Sequence, residues 1–298
     1  VLVLDDEPFI LRALRRALAM AGLDVTTAER SSDALAILER EAPDVVVTDL
    51  HMPHEDGAHF LSEVARQRPD AVRVLLSADL DFGASGEGAH ALVSKSEMPQ
   101  LTELVVAMLE ARFTTPETPD EIASLAARFA RALSRPRHED DGHRERVAKL
   151  SAALAKGAGM SSSEIFEVTL GATLHDVGQI TLPEQVFAYG GRLTAEHRAA
   201  LERHPDAGAW LLSHMPALRH VAPIVRAHHT RLDGTGYPSA IDVPPAARVV
   251  QVADAYDAIC SGRPWAPARS HADAIAELEA CVGAQLDGDV VRALSALR

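Results

Sequence analysis

The sequence predicts two joined folds, an α/β doubly wound parallel sheet followed by an all-α helical domain. Three observations carry this. Short apolar runs alternate with amphipathic stretches over the first third of the chain, which is the pattern of a parallel sheet with helices on both faces. A segment rich in threonine and proline, Thr114-Thr115-Pro116-Glu117-Thr118-Pro119, then breaks the periodicity. Beyond it the strand-like runs disappear and helical spacing continues almost to Arg298.

Val1-Leu2-Val3-Leu4 reads as a buried parallel strand ending at Asp5-Asp6. Ile10, Leu11, Leu14 and Leu18 mark a helix, Val25–Ala28 a weak strand, and Ala34, Leu35 and Leu38 a second helix. Val45-Val46-Val47-Thr48 is another buried strand, and it too finishes on an aspartate, Asp49. Val72–Leu76 and Ala91–Val93 are the later strands, ending at Ser77 and near Lys95. Leu101, Leu104, Val105, Met108 and Leu109 form the apolar stripe of a helix that closes this domain. After the break, Asp120 is expected to cap a connector helix carrying Ile122, Leu125, Ala126, Phe129 and Leu133. That helix either mediates a homodimer or packs on its own domain, and the sequence leaves both open. The boundaries read as 1–112, a linker and connector over 113–135, and a second domain over 136–298. There, Ile165, Val168, Leu170, Ala172 and Leu174 predict a helix closed by Gly178, and Trp210 is expected in the core.

Composition narrows the function. At 298 residues and 47% hydrophobic the chain has room for two cores, and with 4% aromatics alanine, leucine and valine must build them. A net charge of −14 argues against DNA as a partner, since the phosphate backbone demands a basic face. Cys260 and Cys281 form no Cys-x-x-Cys motif, so reduced thiols and a cytoplasmic location are expected. No apolar run approaches the ~18 residues of a membrane span. No secretory leader is visible, and Val1 suggests a trimmed start.

In a doubly wound sheet, function gathers at the carboxyl ends of the strands, where Asp5, Asp6, Asp49, Ser77 and Lys95 fall. Three carboxylates in one place repel unless a divalent cation such as Mg²⁺ neutralises them. An aspartate beside that cation is a competent nucleophile for phosphoryl transfer, with lysine balancing the new charge. This half resembles the response-regulator receiver family, whose fold is flavodoxin-like. The resemblance implies Asp49 as phosphoacceptor, Asp6 as main magnesium ligand, Asp5 assisting through water, and a backbone carbonyl from His51. Ser77 and Lys95 would contact the phosphoryl oxygens, and a cognate sensor histidine kinase would supply the phosphoryl group. Two positions depart from the family: Ser96 stands where proline is usual, and Leu92 where the switch aromatic is expected. His51, His54 and His59 read as solvated.

The second domain is organised around His228-His229-Thr230-Arg231-Leu232-Asp233-Gly234-Thr235-Gly236-Tyr237-Pro238. Adjacent side chains cannot share one helix face, so paired histidines suit a site that wraps around metal ions, and the glycines behind them let backbone pass close to a ligand. Glu139 and His143 are four apart and share one helical face; Asp254 and Asp257 are three apart on another. With His143, His175-Asp176, His204, His228-His229, the Gly236-Tyr237-Pro238 loop and Asp254 in this order, residues 136–270 resemble the HD-GYP family of the HD superfamily. That family contains metal-dependent phosphodiesterases of cyclic di-GMP. The resemblance implies His143, His175, Asp176, His204, His228, His229 and Asp254 as metal ligands. Asp176 would bridge two ions, and Glu139 falls where some members supply a ligand to a third. Two or three divalent transition ions, Fe or Mn foremost, suit this nitrogen and oxygen set, and the lack of a thiolate disfavours structural zinc. Such ions lower the pKa of water and neutralise charge on phosphorus, so hydrolysis needs no protein nucleophile. His175 and Asp176 are then the catalytic pair, while Gly236, Tyr237 and Arg263 would hold the nucleotide.

Three further departures bear on turnover. Gln179 replaces a lysine, Ala266 a basic residue, and Thr230 a glutamate. Losing two phosphate-contacting cations removes roughly 1.5–3 kcal/mol each, which Arg269 or Arg231 could offset. The expectation is therefore a response regulator in which phosphorylation of Asp49 controls a cyclic di-GMP phosphodiesterase. The alternatives are a metal-loaded module that senses nucleotide or binds a partner protein, and a hydrolase of another phosphoester. Asp257 reads as supporting the site, Trp265 as packing, and His138, His197, His214, His220 and His271 as surface or helix ends.

Overall fold

The computed structural model describes residues 1–53, 55–78, 88–95, 98–134, 142–182, 185–188, 193–239, 241–262 and 267–297. It divides into two compact units, Val1–Thr114 with Ile180–Gln185, and Thr115–Gln179 with Val186–Arg298. Among the sequence expectations, His54, Ser96, His138, Glu139, Arg263, Trp265 and Ala266 lie outside the described residues.

In the first unit β1 (Leu2–Leu4), α1 (Pro8–Met20), β2 (Thr26–Ala28), α2 (Ser31–Glu41) and β3 (Val45–Asp49) alternate. A small antiparallel pair, β4 (His51–Met52) and β5 (Glu55–Asp56), leads into α3 (Gly57–Gln67), then β6 (Val72–Ser77), β7 (Ala91–Ser94) and α4 (Met98–Phe113). The strands form one parallel sheet in the order β2-β1-β3-β6-β7. Leu2, Leu4, Val46 and Leu75 sit in its core, as near-continuous Val/Leu runs must when helices cover both faces. The register pairs Leu4 with Thr48 and Asp49 with Leu76, so the ends of β1, β3 and β6 lie side by side. That placement brings the strand-end aspartates together.

The second unit is helical: α5 (Pro119–Ala132), α6 (His143–Gly157), α7 (Ser162–Leu174), α9 (Ala195–Leu201), α10 (His204–Ser213), α11 (Ala222–Ala227), α12 (Pro245–Ser261), α13 (His271–Ala280) and α14 (Gly288–Ala296), with the one-turn α8 (Gln185–Ala188) between α7 and α9. Its core is aliphatic, with Val147, Leu154, Val168, Leu174, Leu211, Val225, Val249 and Val252 buried. α6, α7 and α12 pack on one another and carry much of the site. No helix among the described residues is long and apolar enough to cross a membrane.

Four local expectations are corrected. The connector helix is capped by Thr118 rather than Asp120, because a full capping box forms between Thr118 and Glu121. Gly178 does not close α7, which ends at Leu174; it lies in a 3₁₀ turn, Val177–Thr181. Trp210 is 37% exposed, on the solvent side of α10 where its ring meets that of His214 one turn on. His197 is buried, although it sits in a polar stretch.

Candidate metal centre

The site is assembled from helix ends, and the chemistry of helix ends explains its geometry. The last carbonyls of a helix have no partner within it. Three of them take an imidazole. His175, just past α7, donates Nδ1–H to Ala172 O at 2.7 Å; His228, just past α11, donates to Val225 O at 2.6 Å; His204, after α9, donates to Leu201 O at 2.7 Å. A carbonyl can only accept, so a proton is fixed on each Nδ1 and each Nε2 is aimed inward.

Those atoms converge. His204 Nε2 lies 3.2 Å from His228 Nε2 and 3.2 Å from Asp176 Oδ1, while His228 Nε2 is 4.0 Å from the same oxygen. With His229, these residues bring one ligand atom each within 4.8 Å of one another. A second group, His143, His175 and Asp254, does the same. Asp176 stands between the two: Oδ1 faces His204, and Oδ2 lies 3.3 Å from His175 Nε2, a buried atom without a hydrogen bond. Lone pairs this close repel, and a shared cation relieves that repulsion. The donor set fits metal ions.

His143 opens α6 and is oriented by a side chain instead of a carbonyl. Its Nδ1 donates to Asp257 Oδ2 at 2.7 Å, leaving Nε2 3.4 Å from Asp254 Oδ1. Asp257 is in turn gripped by both Arg146 Nε (2.6 Å) and Nη2 (3.0 Å). A ligand imidazole backed by a carboxylate is a recurrent way of fixing its ring.

Electrostatics divide the histidines. Burial, together with the neighbouring imidazoles, holds His228 well below its ordinary range and His229 at about 4, so both are neutral ligands. For His175 burial opposes protonation, yet the adjoining Asp176 carboxylate prevails and lifts it to about 9. Burial opposes the charge on Asp176, but His175 and His204 hold the carboxyl well below the usual range.

The loop behind His228-His229 is closed on itself. Thr230 Oγ1 donates to Pro238 O at 2.7 Å, Tyr237 N donates to His229 O at 3.2 Å, and the Tyr237 ring lies 4.6 Å from that of His229. Gly236 has φ +83°, and a Cβ there would collide with His229 O.

The HD-domain family profile matches residues 120–290, and that of the response-regulator receiver domain residues 1–106. The chain belongs to the HD-domain family. Its first part is a receiver domain, and its HD domain is of the HD-GYP type. A cyclic di-GMP phosphodiesterase of Thermotoga maritima is 27% identical over 98% of this chain and 89% of its own length. The cyclic di-GMP phosphodiesterase response regulator RpfG of Xanthomonas campestris pv. campestris is 29% identical over 88% of this chain and 77% of its own. A 3'3'-cGAMP-specific phosphodiesterase 2 of Vibrio cholerae is 32% identical over 50% of this chain and 30% of its own.

Around the HD-domain site the sequence reading missed Arg146, Arg198, Glu202 and Gln251. A cleft of about 510 Å³ beside His229 and Asp254 is lined by Arg198, Glu202 and Gln251. Gln251 Nε2 donates to Thr230 O at 3.0 Å. No motif marks these residues, and Arg146 and Gln251 act through partners far along the chain.

In the receiver domain Asp5, Asp6 and Asp49 bring carboxylate oxygens within 4.8 Å of one another. Lys95 Nζ lies 3.0 Å from Asp5 Oδ2 and 3.1 Å from Asp49 Oδ2. Burial works against the Lys95 ammonium, but its bonds to Asp5 and Asp49 hold it above its ordinary value. Burial raises Asp49 despite that lysine. Ser77 is buried at the end of β6, and the His51 side chain is exposed.

Proposed function

We propose that this protein is a response regulator whose HD-GYP domain hydrolyses cyclic di-GMP, with phosphorylation of Asp49 as the control input. The observation that carries the catalytic half is the meeting of His204 Nε2 and His228 Nε2 at 3.2 Å, both aimed inward, against the Asp176 carboxylate. His204, His228, His229 and Asp176 would hold one ion and His143, His175 and Asp254 a second, with Asp176 standing between the two groups. Fe or Mn suits this mixed set, and Glu139 is the candidate ligand of a third ion. When bound, the ions activate water and neutralise charge developing on phosphorus.

The chain's own residues do the rest. Asp257 keeps the His143 proton on Nδ1, and the carbonyls of Ala172, Leu201 and Val225 keep those of His175, His204 and His228 there. Gly236 brings the loop backbone close, Tyr237 offers a ring face to a nucleobase, and Arg263 a fork for phosphate or guanine. In the receiver domain a sensor histidine kinase donates the phosphoryl group. Asp5, Asp6, Asp49 and the His51 carbonyl would hold Mg²⁺, and Ser77 and Lys95 would contact the phosphoryl oxygens.

Gln179 favours a second reading, in which the domain binds metal and nucleotide but signals without turnover. One experiment separates the two. Fe- or Mn-reconstituted protein is incubated anaerobically with cyclic di-GMP and the products are separated by chromatography. Turnover that Asp176→Ala abolishes is expected; tight binding with no product in either metal would establish the sensor instead.

A further inference from the structure

Cyclic di-GMP carries two phosphodiesters, and the ions can engage only the one being cut. The other remains an anion that needs a partner at the cleft. Gln179, three residues past the metal-site Asp176, is a neutral side chain. Lysine is scarce throughout, with only Lys95, Lys149 and Lys156, so arginine has to supply the charge.

Two arginines line the cleft beside His229 and Asp254: Arg198 from α9, and Arg231 from the loop two residues past His229. Both are exposed, and neither guanidinium makes a hydrogen bond or an ion pair with another described residue. Other described arginines of this unit are engaged by carboxylates: Arg146 with Asp257, Arg226 with Asp206, Arg248 with Asp287, Arg269 with Glu277. Asp233 follows Arg231 closely, but its Oδ1 already accepts from Thr235 N and Thr235 Oγ1. A guanidinium left without a carboxylate beside a phosphoester site is a fork awaiting an anion. The carboxylates lining the cleft are Glu202 and the metal-site Asp254.

We propose that Arg198 and Arg231 clamp the second, uncut phosphate of the cyclic dinucleotide. This rests on the phosphodiesterase reading above. It makes the pair a specificity device: a two-phosphate ring gains from it, and an ester with one phosphate does not.

The test uses the full, metal-loaded chain and the variants Arg198→Gln, Arg231→Gln and the double variant. Binding of a phosphorothioate analogue of cyclic di-GMP is measured by calorimetry. Hydrolysis of cyclic di-GMP is compared with that of bis(p-nitrophenyl) phosphate, which has a single phosphate. Each substitution is expected to weaken analogue binding about tenfold, the scale of a lost charge-assisted bond. Selectivity for cyclic di-GMP over the single-phosphate ester should fall by a similar factor, through KM more than kcat. Arg→Lys at either position should restore part of the affinity by returning the charge without the fork. Equal losses on both substrates, or wild-type affinity in the double variant, would overturn the clamp. A wild-type protein that cleaves bis(p-nitrophenyl) phosphate yet ignores cyclic di-GMP overturns the substrate reading itself, and that failure is visible before any variant is made.

Discussion

Gly178 shows how narrow the tolerance of the metal centre is. Its Cα passes so near α10 that a Cβ would collide with His204 O and lie 2.5 Å from Gly208 N. Gly178→Ala must therefore move the backbone that carries a ligand. It is expected to cost about 1–3 kcal/mol, the usual cost of overpacking, and to lower bound metal, read by denaturant titration and elemental analysis. Asp257 acts one step further out. Asp257→Asn would leave the His143 proton without its carboxylate and weaken metal affinity roughly 10–100-fold, measurable by competition with a chromophoric chelator. His175-Asp176 and His228-His229 stand out in the sequence as short runs, whereas His143 and His204 are named only through the family resemblance. Arg146 does not stand out, since the carboxylate it grips lies 111 positions away. Trp210 was misplaced for a related reason: which face of α10 looks outward depends on neighbours that spacing alone does not reveal.

At the level of elements, the strands were legible where apolar runs were continuous, because a sheet covered on both faces leaves no room for alternation. The edges were less so. The short β4–β5 pair was not foreseen, and the connector was given the wrong cap because Thr118 and Glu121 satisfy each other's backbone before Asp120 can. The connector's packing, which the sequence left open, is clear in the second unit: Leu125, Ala126 and Phe129 are buried and α5 lies against α7. Phe129→Ala is therefore expected to destabilise this unit by about 3–5 kcal/mol, lowering its unfolding transition in calorimetry. Since α7 leads straight into His175, the same variant should also release metal more readily.

For the whole molecule, the division into two units separates two kinds of loss. Asp49→Asn should abolish binding of beryllofluoride, a phosphoryl mimic, followed by NMR, while the metal content of the HD domain stays as in the wild type. A chelator selective for transition ions, with Mg²⁺ kept in excess, should do the converse, lowering the Tm of the HD domain by removing a ligand that binds only the folded state and leaving that of the receiver domain in place. The carbonyls at the ends of α7, α9 and α11 add one further consequence. Three of the imidazoles are aimed by the backbone itself, so the apoprotein is already arranged to receive its ions. Stripping and reloading should then be reversible without any passage through an unfolded chain, unlike small zinc modules that collapse only around their metal.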